Sequence, residues 1–143
     1  MLKRYFLECS FWGQNYAGWQ KQPDQKSVQS TIDDAISTAL QEPIEVMGSG
    51  RTDTGVHAKY FIAHFDSKNN LMHSENLMYK LNTILPPDIA VQNIYKVEPH
   101  HHARFDAVSR SYQYRIAVQK NPFEMASAYY IKNELDVKLM HKC

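Results

Sequence analysis

The sequence predicts an α+β fold: a ferredoxin-like, split βαβ antiparallel sheet with two helices on one face and an extra strand. Three observations predict it. Apolar residues recur at helical spacing in two places, Val28, Ile32, Ala35, Ile36, Ala39 and Leu40, then Leu77, Leu81, Ile84 and Leu85. Strand-like segments with aromatic and β-branched residues occupy 3–12, 59–66, 89–97 and 111–118, with a shorter one at 44–47. Their order is strand, helix, strand, strand, helix, strand, then one more strand, which is the split βαβ order with an addition.

Each element has a local cause. Residues 3–12 (KRYFLECSFW) alternate roughly in polarity. Residues 13–26 are polar and contain Gly13, Gly18, Pro23 and Asp24, which reads as a loop. Ser27 can cap the first helix, and Pro43 closes it. Ile44 to Met47 reads as a short strand. Residues 59–66 (KYFIAHFD) form the next. Ser74 is an N-cap for the second helix, and Pro86-Pro87 stop it. Residues 89–97 (IAVQNIYKV) alternate as a strand. In 111–118 (SYQYRIAV), Tyr112, Tyr114, Ile116 and Val118 share one side. Glu134 to Cys143 reads as the start of an amphipathic helix on Leu135, Leu139 and Met140, left unfinished and uncapped. This suggests a chain that stops partway through a longer protein.

The 143 residues suit one domain, with 43% apolar residues to build a core and 22% charged residues, close to the globular average. The net charge of +1 excludes a strongly basic field, so any nucleic-acid binding must rest on a local patch. Cys9 and Cys143 lie at opposite ends without metal-ligand spacing, and Cys9 reads as a reduced core residue, which suits a cytoplasmic protein. Lys3, Arg4 and Glu8 interrupt any signal-like apolar run, and no stretch is long enough to span a membrane.

The most informative run is Gly48-Ser49-Gly50-Arg51-Thr52-Asp53-Thr54-Gly55-Val56-His57-Ala58. Three glycines this close argue against a plain helix or strand and for a shaped loop that a ligand can approach. The loop carries one carboxylate, Asp53, and one fixed cation, Arg51. A carboxylate beside an arginine is held ionised, and an ionised carboxylate can act as nucleophile or base. Against this stands the commoner use of Asp as a turn cap and of Arg in a surface ion pair.

Tyr112 could stack on a flat base with its hydroxyl free, following as it does Arg110-Ser111; Tyr114 reads as core packing. His100-His101-His102 does not read as a metal site. Neighbours in an extended segment point alternately, and nothing completes a tetrahedral set. His57 could touch substrate or phosphate. Lys21, Lys26, Arg51, Lys59, Arg104, Arg110 and Arg115 come from loops and strand ends, as an RNA groove requires, though a solvated surface explains them equally well.

The loop GSGRTDTGVHA resembles the GxGRTDxGVHA signature of the tRNA pseudouridine synthase I family. YAGWQKQP at 16–23 with SVQ at 27–29, LNTILPPDIAV at 81–91 and HARFDAVSRSYQYRI at 102–116 are similar to further segments of that family, in the same order. The resemblance implies conversion of uridine to pseudouridine in the anticodon stem-loop of tRNA, at positions 38 to 40, without metal or organic cofactor. It implies Asp53 as the catalytic carboxylate, Arg51 as its orienting partner, and Tyr112 stacked on the uracil. The N1–C1′ bond breaks, the uracil turns while bound, and C5 joins C1′. The base must be flipped out of its stem. The candidate substrate-binding residues are Lys21, Arg51, His57, Arg104, Arg110 and Tyr112, of which the resemblance itself supplies Arg51 and Tyr112. Thr54 stands where the family usually has Ala, and Ser49 where a small residue varies; both leave Arg-Thr-Asp intact.

Family members have two similar halves, and a homodimer binds the tRNA. The resemblance therefore implies that residues 1–143 are the N-terminal half, inactive or nearly so alone, with sheet left uncovered. Two other readings remain. A βαββαβ chain with aromatic strands is also the architecture of the RNA recognition motif. The segment Lys59–Phe65 faintly resembles its aromatic strand but lacks the glycine after the basic residue. A purely structural domain explains the helices and strands and leaves Arg51-Thr52-Asp53 without a role.

Overall fold

A computed structural model describes residues 2–71 and 73–142. The elements are β1 (Lys3–Phe11), a 3₁₀ turn (Gly13–Asn15), α1 (Val28–Leu40), β2 (Met47–Gly48), β3 (Ala58–Ser67), α2 (Ser74–Ile84), β4 (Ile89–Val97), β5 (Ile116–Ala117), β6 (Tyr129–Tyr130) and α3 (Val137–Met140). The chain divides into one compact unit up to Val108 and another from Ser109. No helix among the described residues is long and apolar enough to cross a membrane.

The first unit is the expected α+β arrangement. Its sheet runs β2-β3-β1-β4, antiparallel throughout, which is the split βαβ strand order. Alternation along β1 sends Tyr5, Leu7, Cys9 and Phe11 into the core. Phe61, Ala63 and Phe65 of β3 and Ile89, Val91 and Ile94 of β4 join them. Val28, Ile32 and Ile36 of α1 and Leu77 and Leu81 of α2 complete that core. Burial pushes the Cys9 thiol up to about 12, so it stays a protonated, apolar group at neutral pH. Cys143 lies outside the described residues.

Ser27 caps α1 as expected: its hydroxyl accepts from Ser30 N at 3.1 Å, and Ser30 reciprocates on Ser27 N. Gln41 ends the helix in the left-handed region at φ +53°. Ser74 is the first residue of α2 rather than its cap; His73 holds the cap position without a side-chain bond. Ile84 is exposed, and Leu85 takes its expected place in the core.

Three other expectations are corrected. The strand at 44–47 shrinks to Met47–Gly48. Side chains of α1 take over the hydrogen bonds a ladder would supply to the preceding residues. Ser37 Oγ accepts from Ile44 N at 2.9 Å, Asp33 Oδ1 from Val46 N at 2.8 Å, and Gln29 Nε2 donates to Val46 O at 2.8 Å. Residues 13–26 form a loop as expected, and it buries its aromatics, with Tyr16 and Trp19 almost inaccessible. The strand at 111–118 is only Ile116–Ala117, paired in parallel with Tyr129–Tyr130. Tyr112 and Tyr114 lie in the irregular stretch before it, each 78% exposed, so Tyr114 is not core. Residues 111–114 lie in no strand, and alternation builds a buried face only in a paired strand. Finally, the C-terminal helix is one turn long and does carry a cap, Asp136, whose carboxylate accepts from Leu139 N at 2.9 Å.

The second face of the main sheet carries Arg4, Phe6, His64 and Asp66. Arg4 forks onto Asp66 at 2.9 and 2.8 Å and donates to His101 O at 3.0 Å, tying residues 101–106 across that face. His64 is buried there and accepts from Ala103 N at 3.2 Å through Nδ1. Burial, then Arg4 and His102, push His64 down to about 4, against smaller opposing effects of Asp66 and Asp106. On the other side of the sheet, burial pushes Asp33 up to about 6, with Glu45 and Asp34 adding to the rise while the Val46 hydrogen bond and Lys21 oppose it. One Asp33 oxygen has no hydrogen-bond partner and lies 4.0 Å from Lys21 Nζ.

These two groups act oppositely in one pH window. His64 titrates lower in the folded state than unfolded, so its contribution to stability is complete above pH 6.5 and is lost as pH falls toward 4. Asp33 titrates higher folded than unfolded, so its contribution is complete below pH 3.8 and is lost as pH rises toward 6. We predict a nearly flat stability between pH 4 and 6.5 from this pair. Asp33→Asn keeps an acceptor for Val46 N and exposes the histidine term alone. Urea unfolding should then show an extra loss on acidification of up to ~3 kcal/mol relative to wild type, at 1.36 kcal/mol per pKa unit. Parallel pH profiles for the two proteins would overturn this.

Candidate active site

The loop between β2 and β3 is pinned from behind by residues 12–19. Ser49 N first donates to Ile62 O at 2.7 Å, extending the ladder. Trp19 N then donates to Thr52 O at 3.2 Å, and Gly55 N donates to Tyr16 O at 3.3 Å. Val56 N closes a turn onto Asp53 O at 3.2 Å. At the loop's end Gly13 N donates to His57 Nδ1 at 2.9 Å, and the imidazole stacks on Trp12 with centroids 3.7 Å apart and planes at 14°. Asp53 therefore sits between two backbone anchors, one on each side.

Thr52 Oγ1 is buried without a hydrogen-bond partner, while its neighbours Arg51 and Asp53 are exposed. The charged pair faces solvent on a fixed backbone. Among the described residues no ion pair joins Arg51 to Asp53.

Two glycines permit the close fit. A Cβ on Gly18 would lie 2.1 Å from Thr52 O, and φ is +85° there. A Cβ on Gly13 would lie 1.9 Å from Val56 O. Gly48 serves the same end from below, because a Cβ there would strike the Trp19 indole at 2.5 Å. Behind Tyr16, Asp88 accepts from its hydroxyl at 2.6 Å and from Asn15 Nδ2 at 3.1 Å. Burial and this carboxylate push the Tyr16 phenol well up, and the Tyr16 and Asn15 bonds hold Asp88 low.

A narrow cleft beside the loop is lined by Trp19, Gln20, Gln29, Gly48, Arg51 and Arg104. Arg51 and Arg104 thus come together, although 53 positions apart in sequence. Arg104 reaches the cleft because residues 101–106 are tied down: Asp106 accepts from His102 N at 3.0 Å and meets His101 Nδ1 at 3.0 Å. Lys21 lies toward Asp33 instead, and Lys26 lies over the Tyr16 ring at 5.0 Å. Arg110 and Tyr112 belong to the second unit, where Arg115 approaches Glu124 at 3.9 Å. The histidines at 100–102 engage in ring contacts, His100 with His101 and His102 with His64 and Phe105. Among the described residues no three His, Cys, Asp or Glu side chains gather as a metal site. Sequence reasoning did not name Gly13, Gly18 and Trp19 as site residues, although 16–23 resembles a family segment; the signal was the pairing of glycines with aromatics in a polar loop.

One exposed carboxylate thus stands on a glycine-shaped loop, with Arg51 and Arg104 lining the cleft beside that loop. Residues 9–106 match the family described as tRNA pseudouridine synthase. The chain is 42% identical over 141 residues to tRNA pseudouridine synthase A of Parabacteroides distasonis, covering 99% of this chain and 56% of that protein. It is 43% identical to the Bacteroides thetaiotaomicron protein of the same name, covering 99% and 52%, and 37% identical to that of Chlamydia felis, covering 99% and 54%. The chain belongs to the tRNA pseudouridine synthase family, whose members are isomerases. It spans about half the length of the curated relatives it matches.

Gly18→Ala should lower stability by more than Gly55→Ala. Both glycines have positive φ, which costs a non-glycine residue about 1–2 kcal/mol, but a Cβ on Gly55 meets open space. Urea midpoints of the two variants compare a clash plus strain against strain alone, and equal midpoints would show that Gly18 is not in close contact with the loop.

Proposed function

We propose that the protein carrying this chain isomerises uridine to pseudouridine in the anticodon stem-loop of tRNA, in the cytoplasm, with Asp53 as the catalytic carboxylate. The observation that carries the reading is the setting of Asp53: an exposed carboxylate on a backbone anchored at Thr52 and Gly55, in a chain of this family. A group that must meet a ribose or a uracil has to be outside the core and still fixed in place.

In this reading the glycosidic N1–C1′ bond breaks while Asp53 stabilises or captures the separated partner. The uracil turns, C5 bonds to C1′, and the C5 proton leaves as N1 regains one, so atoms balance without a cofactor. Arg51 orients Asp53 once RNA excludes water from the cleft, where opposite charges attract more strongly. Arg104 on the same cleft suits a phosphate beside the flipped nucleotide. Tyr112 stacks on the uracil, and Lys21 and Arg110 contribute to RNA contact. Residues 1–143 act as the N-terminal half of the catalytic domain, the remaining length of the relatives completes the uracil pocket, and two full-length copies bind the tRNA as a homodimer.

Tritium release from tRNA carrying [5-³H]uridine tests this, because forming the C5–C1′ bond expels the C5 hydrogen. We expect release by the full-length protein, little or none by residues 1–143, and none by full-length Asp53→Asn. The Asn variant should unfold within ~0.5 kcal/mol of wild type, as a surface substitution does. RNA binding without release by the full-length protein would favour a binding module, and lost stability in Asp53→Asn a structural role for the carboxylate.

A further inference from the structure

The imidazole of His57 has one nitrogen already committed. A backbone N–H can only donate, so the 2.9 Å contact from Gly13 N makes Nδ1 the acceptor and leaves the proton on Nε2. The ring cannot swing away easily, because it lies flat on Trp12. Trp12 is itself fixed, its backbone N donating to Asp88 O at 2.8 Å and its indole N–H to Gln14 at 3.1 Å. Gly13 must be glycine for Val56 O to come this near. The turn closed by Val56 N onto Asp53 O then joins this clamp to the carboxylate residue.

We propose that His57 is a positioning residue for Asp53, acting through Nδ1 as the acceptor that fastens the downstream end of the loop to Gly13, with Trp12 holding the ring in plane. The inference rests on Asp53 being the catalytic carboxylate, as proposed above. The role does not require His57 to touch RNA, and it separates the two nitrogens: Nδ1 does the positioning, and Nε2 is dispensable.

Two amides tell the nitrogens apart. Asn places an oxygen acceptor where Nδ1 sits, and Gln places its amide where Nε2 sits. In the full-length protein, His57→Asn should keep kcat within about threefold of wild type. His57→Gln should lower kcat by about 100-fold, the order that an ångström-scale misplacement costs, with KM for tRNA little changed. Hydrogen exchange gives a readout independent of turnover: the Gly13, Gly55 and Val56 amides should stay protected in His57→Asn and exchange faster in His57→Gln. Equal loss of kcat in both variants, or an effect confined to KM, would overturn the proposal in favour of RNA contact. Unchanged protection in His57→Gln would overturn it even if the wild type released no tritium, in which case the proposed reaction fails separately.

Discussion

The joint between residues 12–19 and the Asp53 loop is the constraint on which the rest of the structure depends. Two stretches outside the strands and α-helices lie close enough that glycine alone fits at Gly13 and Gly18. Trp19 is the hub. Its indole packs on Phe61 at 4.3 Å and near Phe11 at 5.9 Å, so it belongs to the sheet's core. Its N–H holds Thr52, and its carbonyl accepts from Gln29 N at 3.0 Å in the first turn of α1. Sheet, helix and loop therefore meet at one residue.

That hub explains why β2 can be so short. A two-residue strand is a weak platform for a loop that must hold its shape. The residues leading into it are fixed instead by Ser37, Asp33 and Gln29 of α1, and Gln29 Oε1 also accepts from Lys21 N at 2.9 Å. Burying Asp33 for this purpose costs free energy at neutral pH, since burial disfavours its charged form. On the opposite face His64 stays neutral to accept from Ala103, and its cost falls only below pH 6.5. Each face thus spends a buried titratable group to place one wall of the cleft: Asp33 sets the Gly48 side, and His64 sets the segment bearing Arg104.

The sequence was legible where burial has a simple period. α1 and β4 fall on the expected residues, and β1 and β3 within one residue, because each pairs one buried face with one outer face. The Arg51–Asp53 loop was legible because three glycines interrupt every regular pattern. Three things were not. Residues 44–46 look like a strand because apolar Ile44 and Val46 flank Glu45, yet the backbone of Val46 bonds side chains thirteen and seventeen positions back, at Asp33 and Gln29. Residues 13–26 look solvated by average polarity, yet Tyr16 and Trp19 are buried one by one. Tyr112 and Tyr114 alternate as a strand would, but alternation states only where side chains point, and residues 111–114 lie in no strand that would bury one side.

The way the loop is held also bears on what it can do. Anchoring a carboxylate by its own oxygens would consume the acceptors that a substrate needs. Here the anchors are the carbonyl of Thr52, the amide of Gly55 and the ring of His57, so none of them uses the Asp53 carboxylate. Positional precision and chemical availability, which normally compete at one side chain, are assigned to different atoms. The arrangement depends on close backbone contact at Gly13 and Gly18, where even one methyl group is too large. The fold of such a loop tolerates change at an exposed residue such as Thr54 far better than in the glycines and aromatics behind it.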